Sequence, residues 1–464
     1  MKTVSETSLD SPTDSDRDQR RAQHPGTEAQ LVVAFDCERP TEWPSRHLLA
    51  GVDRVCVTRG SRRDARRAAH QGVRGLTLAL ADRFASADHA LLHRVGPQRW
   101  VVVDNGSRNG IRVNGAVSKR AVLLDGDVIE VGRTLLLFRC AVVPASRDVE
   151  DLDGEAATGS IGLPTFLAAL ADGHAKIERV AASTLPVIVR GDSGTGKELV
   201  ARAVHRLSRR SGQFVALNCG AIPDSLVEAT LFGHRRGAFS GAVGEQIGML
   251  RAAHGGTLLL DEIGDLPLLP QATFLRALQE SEVVPVGDTR PVKFDARVIS
   301  ATHRPLEEMA AARSFRPDLF ARLGGLTVTL PRLVDRREDV GLLVATLFRR
   351  KGTSSMLTPA AALALLRHDW PLNVRELERT LDAAVLLAGD ARIDVRHLPA
   401  PLAQADGNEP GDAEAMRRRV ELVTLLDEHG GNVAAVARDL GKHRQQIHRW
   451  LQQLGLNIAD FRRR

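Results

Sequence analysis

Gly191-Asp-Ser-Gly-Thr-Gly-Lys-Glu198 follows an apolar run at 185–189 and opens a helix-like stretch at 198–209. Strand, glycine-rich turn and helix together form the setting in which a phosphate-binding loop works. Gly191, Gly194 and Gly196, with Asp192, Ser193 and Thr195 between them, let backbone N–H groups crowd a phosphate. The helix N-terminus adds its positive end, and Lys197 can reach the β- and γ-phosphates of a nucleotide. Glu198 occupies the position where Ser or Thr usually serves Mg²⁺. Downstream, Gly255-Gly-Thr-Leu-Leu-Leu-Asp261-Glu262 is an apolar strand ending in paired carboxylates. At the carboxyl end of such a strand Asp261 can hold Mg²⁺ and Glu262 can polarise an attacking water. A bare helix N-cap is the other reading of that pair, and the upstream loop argues against it.

The α/β reading extends outward. Strand-like runs at 185–189, 214–217, 257–260, 297–300 and 326–330 alternate with helix-like stretches such as 198–209 and 271–280, which predicts a parallel sheet. From 338 onward the pattern turns helical. Between the loop and the acid pair lies Gly237-Ala-Phe-Ser-Gly-Ala242, a glycine-bounded tip that presents Phe239. On the N-terminal side, short apolar runs between 31 and 143 are punctuated by Asn-Gly and Asp-Gly pairs, the texture of an all-β sandwich.

With 464 residues the chain can hold about three domains. Hydrophobic residues at 43% and charged residues at 26% are ordinary for globular protein. The reading divides the chain into a disordered N-terminus at 1–29, a sandwich at 30–144 and a linker at 145–159. An ATPase-like α/β domain at 160–400 follows, with a helical lid from about 338, then a linker at 401–412 and a small helical domain at 413–464. No apolar run approaches the roughly 20 residues of a membrane span, and the N-terminus lacks a signal-peptide core. Cys37, Cys56, Cys140 and Cys219 show no CxxC spacing, so a zinc site or disulfide framework is not indicated and a cytoplasmic home is expected.

Near the C-terminus, 431–441 and 442–454 read as helix, Gly-containing turn, helix. Arg444, Gln445, Gln446, His448 and Arg449 open the second helix, where side chains can reach base edges or phosphates. Residues 438–464 carry seven Lys/Arg against two Asp, a net +5 that attracts a phosphate backbone. A basic protein-docking bundle is the alternative.

Residues 160–400 resemble the AAA+ domain of bacterial enhancer-binding proteins, the activators of sigma-54 RNA polymerase. The likeness runs through 191–198, the stretch 231–242 with its GAFSGA tip, 255–262, Phe315-Arg-Pro-Asp-Leu-Phe-Ala-Arg-Leu323 and Trp370-Pro-Leu-Asn-Val-Arg-Glu-Leu377. It implies ATP and Mg²⁺ as ligands, with Lys197 on phosphate, Asp261 on the metal and Glu262 on water. It also implies that Asn218 switches Glu262, that Arg316 and Arg322 enter a neighbouring subunit's site in a homo-oligomer ranging from dimer to hexameric ring, and that Arg375 is the lid's sensor. Gly237, Ala238, Phe239, Ser240, Gly241 and Ala242 become the loop that grips sigma-54. Glu198 agrees with the family. Ser240 replaces a usual Thr, His303 a usual Asn and Leu372 a usual Gly, while Thr230 and Arg235 stand where Glu is common.

Residues 31–143 resemble a forkhead-associated (FHA) domain, through 57–60, 86–89, 106–115 and 124–127. That likeness implies a phosphothreonine-containing protein partner bound by Arg59, Ser86 and Asn109, with His89 bracing the loops; Thr58 and Ile111 depart from the usual pattern. Eight Arg against two Asp at 46–74 suit a phosphate ligand. The C-terminal helices resemble a Fis-type helix-turn-helix, implying enhancer DNA as a partner. The leading expectation is therefore a DNA-bound AAA+ ATPase that remodels sigma-54 polymerase under phosphothreonine control. Two others stay open: a phosphoprotein-responsive DNA regulator with weak or no ATPase, and a remodeller of another target.

Overall fold

The computed structural model describes residues 27–96, 99–142, 149–400, 402, 410–454, 456 and 458–461. They fall into two compact units, one of residues up to 153 with 356–363 and 406–464, the other of 154–355 with 364–405.

The first unit contains the strands β1 (Thr27–Asp36), β2 (Ser45–Leu48), β3 (Arg54–Arg59), β4 (Asp64–His70), β5 (Val73–Leu80), β6 (Ala90–Arg94), β7 (Trp100–Asp104), β8 (Ile111–Val113), β9 (Ala116–Ser118), β10 (Arg120–Leu123), β11 (Val128–Val131), β12 (Thr134–Val142) and β13 (Asp151–Asp153). Among the described residues they pair as β13-β2-β1-β12-β11-β8-β9 and as β10-β7-β6-β3-β5-β4. Successive side chains of a strand point to opposite faces, so Val55 and Val57, Leu76 and Leu78, and Trp100 and Val102 all enter one core between the sheets. Burying each such side chain contributes about 1.5–3 kcal/mol. The turn between β8 and β9 is Asn114-Gly115 with φ of 53° and 82°, the two-residue hairpin turn that needs positive φ twice.

The second unit is built on β14 (Val187–Arg190), β15 (Phe214–Asn218), β16 (Gly233–His234), β17 (Gln246–Ile247), β18 (Thr257–Asp261), β19 (Glu282–Val283), β20 (Val292–Lys293), β21 (Arg297–Thr302) and β22 (Leu326–Thr329). Its main sheet is parallel, in the order β15-β18-β21-β14-β22. Helices α1 (Ala168–Val180), α2 (Lys197–Ser208), α3 (Val227–Phe232), α4 (Met249–Ala252), α5 (Leu268–Glu280), α6 (Leu306–Ala311) and α7 (Pro317–Leu323) surround it, and α8 (Val340–Lys351), α9 (Pro359–Arg367) and α10 (Asn373–Ala388) follow. Strands covered on both faces must be apolar on both: Ile188 packs into one cluster with Leu231 and Phe274, whereas Val187 and Val189 pack into another with Ile177 and Val204. The chain ends in α11 (Pro410–Glu428), α12 (Val433–Asp439) and α13 (Arg444–Gln453). Among the described residues no helix is long and apolar enough to cross a membrane.

The fold class is the one expected: all-β sandwich, α/β core with helical elements after it, and a small helical end. Several segment expectations are corrected. Residues 1–26 of the expected disordered N-terminus lie outside the described residues, but Thr27, Glu28 and Ala29 are in β1, opposite Val142, Ala141 and Cys140. In the expected linker 145–159, residues 145–148 lie outside, whereas Asp151–Asp153 extends the sheet beside β2. That segment reads as acidic linker because its partners are basic: Asp151 sits 2.7 Å from His47 Nδ1 and 2.8 Å from Arg67 Nε. Of 401–412, residues 401 and 403–409 lie outside, and Pro410 already begins α11. Strand β4, Asp64-Ala-Arg-Arg-Ala-Ala-His70, escapes an apolar search because it is an edge strand whose side chains are half-buried or exposed.

Phe274 is fully buried where α5 meets the sheet. Phe274→Ala should cost about 3–5 kcal/mol, read in urea unfolding as a lower midpoint for the α/β unit with no shift in the sandwich.

Candidate nucleotide and recognition sites

Parallel strands deliver their carboxyl ends to one edge of the sheet, and there the charged groups collect. Register pairs Asn218 with Asp261, and Arg190 with Thr302. The phosphate-loop candidate therefore leaves β14, the acid pair closes β18, and His303 follows β21. Gly196, at φ 108°, caps α2 and makes Lys197 its first residue. The Lys197 side chain is only 7% exposed, and its Nζ donates to the Gly191 carbonyl at 2.9 Å and to Glu262 Oε1 at 3.2 Å. The other Glu262 oxygen lies 2.7 Å from His303 Nδ1 and accepts the His303 backbone N–H at 3.3 Å.

Glu262 has φ 51°, a left-handed conformation that costs a non-glycine residue about 1–2 kcal/mol. Burial pushes its carboxyl up, but the His303 hydrogen bond and the Lys197 charge outweigh burial and hold it below the ordinary glutamate value. Its neighbour Asp261 goes the other way: burial first, then the Glu262 charge, raise it above the ordinary aspartate value. Two adjacent carboxyls thus sit in environments that push them in opposite directions. Burial followed by the Asp261 charge drives the Cys219 thiol up to about 12, so it is no nucleophile.

Asn218 does not touch Glu262 here. Its side chain accepts from the Gly220 N–H at 3.0 Å, closing a 3₁₀ turn, and His303 holds the carboxylate instead. Glu198 pairs along its helix with Arg202 at 2.6 Å. Arg316 is engaged by Asp318 at 2.7 Å, and Arg322 donates to the Leu278 carbonyl at 2.9 Å; the two lie on or just before α7, and neither is among the groups around Lys197. Arg375 does reach the loop, with Nη1 3.3 Å from Ser193 Oγ and its N–H 3.3 Å from the Gly194 carbonyl.

Two residues outside the expected site hold the loop. Asn373, at φ 56° and buried, donates to the Ser193 carbonyl at 2.9 Å and accepts from the Leu333 N–H at 2.8 Å. Buried Arg336 donates to the Thr195 carbonyl at 3.1 Å. His303, which the sequence marks only as a replacement of the usual Asn, holds Glu262. The Leu372 carbonyl would stand 2.2 Å from a Cβ on Gly194, so only glycine admits this approach. The bare position of Asn373 beside a loop-facing arginine was the available signal.

The 237–242 tip is closed by the Gly237 N–H to Ala242 carbonyl bond of 2.8 Å and by the short β16–β17 pair. Phe239, 36% exposed, meets His234 edge-on at 5.0 Å between centroids, while Val243 is 82% exposed. Arg235 fastens the base, bridging Asp288 at 2.7 Å and Glu245 at 2.5 Å, and its bond holds the Asp288 carboxyl at about 2.

On the sandwich, the Ser86 N–H donates to His89 Nδ1 at 2.9 Å, so Nε2 carries the proton that His89 gives the Gly110 carbonyl at 3.0 Å. Buried His89 thus ties the two loops together. Ser86 Oγ accepts from the Arg108 N–H, and Asn109 donates to the Phe84 carbonyl at 2.7 Å. Arg59 and Asn109 are exposed, and the Arg59 N–H is bound to the Ser86 carbonyl at 3.0 Å, which brings the three predicted residues to adjoining loops. At the C-terminus, Asn432 caps α12, Ile447 and Leu451 face inward, and Arg444, Gln445, Gln446 and Arg449 are exposed with His448 half-buried.

Four family models match the chain: the sigma-54 interaction domain over residues 167–329, the AAA+ ATPase lid domain over 334–415, the FHA domain over 70–132 and a homeodomain-like domain over 414–457. The acetoin catabolism regulatory protein of Cupriavidus necator is 39% identical over 354 residues, covering 70% of this chain and 52% of that protein. The transcriptional regulatory protein ZraR of Salmonella typhimurium is 42% identical over 282 residues, covering 59% and 64% respectively. A crystal structure of NtrX from Brucella abortus in complex with ATP superposes on 63% of this chain and 69% of that one, at 34% identity and a TM-score of 0.46. The chain spans 52–64% of the length of the first two relatives.

His303→Ala should remove the largest lowering influence and move the Glu262 carboxyl upward. Carboxyl-carbon NMR titration of the glutamate-labelled protein checks this, and an unmoved Glu262 would remove His303 from the account.

Proposed function

The chain belongs to the sigma-54-dependent transcriptional regulators, and from that premise we propose that it binds and hydrolyses ATP to remodel sigma-54 RNA polymerase at promoters. The observation that carries the reading is the convergence of Lys197, Glu262 and His303 at the carboxyl edge of the parallel sheet. The glycine cradle and the start of α2 fit a nucleotide's phosphates, with the N–H groups of 191–197 and Lys197 as donors. A phosphate chain seated there competes with Glu262 for Lys197, leaving the carboxylate to His303 and to the attacking water. Because Glu262 is held below its ordinary value, it is anionic and ready to polarise that water.

Among the described residues no group of three or more His, Cys, Asp or Glu could hold a metal. Mg²⁺ takes one or two carboxylates and completes its shell with phosphate oxygens and water. Asp261 would hold it, and when bound the ion neutralises phosphate charge. Arg316 and Arg322, whose present partners are surface groups, are the arginines offered to a neighbouring subunit in a ring. Asn373, Arg336 and Arg375 position the loop, and Arg375 senses the nucleotide. Phe239 and Ser240 at the 237–242 tip contact sigma-54, and Arg235 pins the base of that tip to Asp288 and Glu245. Arg444, Gln445, Gln446, His448 and Arg449 face enhancer DNA, and Arg59, Ser86 and Asn109 take a phosphothreonine. The setting is the bacterial cytoplasm.

Glu262→Gln should lower ATP turnover by about 10²-fold or more while nucleotide still binds, read by steady-state phosphate release and a fluorescent-nucleotide titration. Open-complex formation with sigma-54 polymerase should require ATP. Hydrolysis without open complexes would instead make the chain a remodeller of another target. In a separate titration Arg59→Ala should abolish binding of a phosphothreonine peptide.

A further inference from the structure

Strands β7 and β10 are apolar on both faces, although only one face of their sheet meets the sandwich core. Trp100 and Val102 of β7, and Ala121 and Leu123 of β10, belong to that core. Their alternates Val101 and Val122 point outward, yet are 2% and 5% exposed. They sit in a separate cluster with Leu422, Val423 and Leu426 of α11, which also holds Val436 of α12 and Ile447 of α13. We propose that the outer face of β7 and β10 is the docking surface for the DNA-reading helices of the same chain, with α11 as the element that docks.

Charge gives an independent argument. Asp427 and Glu428 end α11, where a helix presents its negative pole and carboxylates are disfavoured. Each is answered from the sandwich: Asp427 by Arg99 at 2.5 Å and Glu428 by Arg120 at 3.0 Å. About two turns further back, Arg419 donates to Asp127 at 2.8 Å, and Asp127 is 3% exposed in the Leu124–Asp127 turn. Three cross-pairs of matched sign bordering a shared apolar patch fix one orientation of the helix on the sheet. Arg444, Gln445, Gln446 and Arg449 stay exposed in this arrangement, so docking leaves the DNA-facing side of α13 open. The sandwich and the DNA reader then act as one regulatory body, whichever ligand the loops at Arg59, Ser86 and Asn109 take.

Hydrogen exchange by mass spectrometry on the full chain tests this. Val122→Asp places a carboxylate on the outer face only, and should make amides at 120–123 and 422–426 exchange roughly tenfold faster with β5 unchanged. If β5 also accelerates, the sandwich itself has been damaged and a charge-reversal pair decides. Arg99→Glu should speed exchange at 422–426, and adding Asp427→Arg should restore it. Exchange at 422–426 that ignores Arg99→Glu, or that the second substitution does not restore, overturns the docking.

Discussion

The α/β unit is organised around one carboxylate. Glu262 stands in a left-handed backbone conformation, with one oxygen on Lys197 and the other on His303. These three residues come from three different strand ends, and their meeting depends on β14, β21 and β18 being neighbours in a parallel sheet. Burial alone would favour the neutral acid; two cationic or hydrogen-bonding partners reverse that balance. On Asp261 burial and the Glu262 charge outweigh the Lys197 charge and the Glu262 N–H, so adjacent carboxyls acquire different character. A shift in strand register would separate the partners and leave a buried carboxylate unpaired, a costly outcome.

The glycine loop is held from a second direction. Asn373, Arg336 and Arg375, all distant in sequence from it, bond Ser193, Thr195 and Gly194. Only a glycine at 194 permits the Leu372 carbonyl to approach so closely. The loop is thereby coupled to α10 through short polar contacts, and movement of either end must be felt by the other. Arg235 plays a comparable part at the 237–242 tip, where, at a position the resemblance leads one to expect Glu, it finds two carboxylates of its own.

Much of this was legible beforehand. Strands β14 and β18 coincide with near-continuous apolar runs, because central strands covered on both faces must be apolar on both, while the edge strands β15 and β22 leave alternate positions exposed. The Asn114-Gly115 hairpin announces itself, since few other pairs tolerate two positive φ values. Strand β4 was hidden, as an edge strand with no buried side chain can carry Arg66, Arg67 and His70 where an apolar search expects Val or Leu. Asp151–Asp153 was hidden because an acidic stretch looks like a linker until Arg67 and His47 are placed beside it.

By itself the sequence determined the local chemistry: a glycine loop ahead of Lys197, an acid pair at the end of an apolar strand, and a basic helix after a short turn. Those features need only neighbours in the chain, and periodicity encodes them. Tertiary structure decided which groups meet. It turned Asn218 to its own backbone, gave Glu262 to His303, and covered Val101 and Val122 with α11. Contacts across tens or hundreds of residues depend on strand order, register and the burial of both faces of a sheet, and one-dimensional pattern carries none of these.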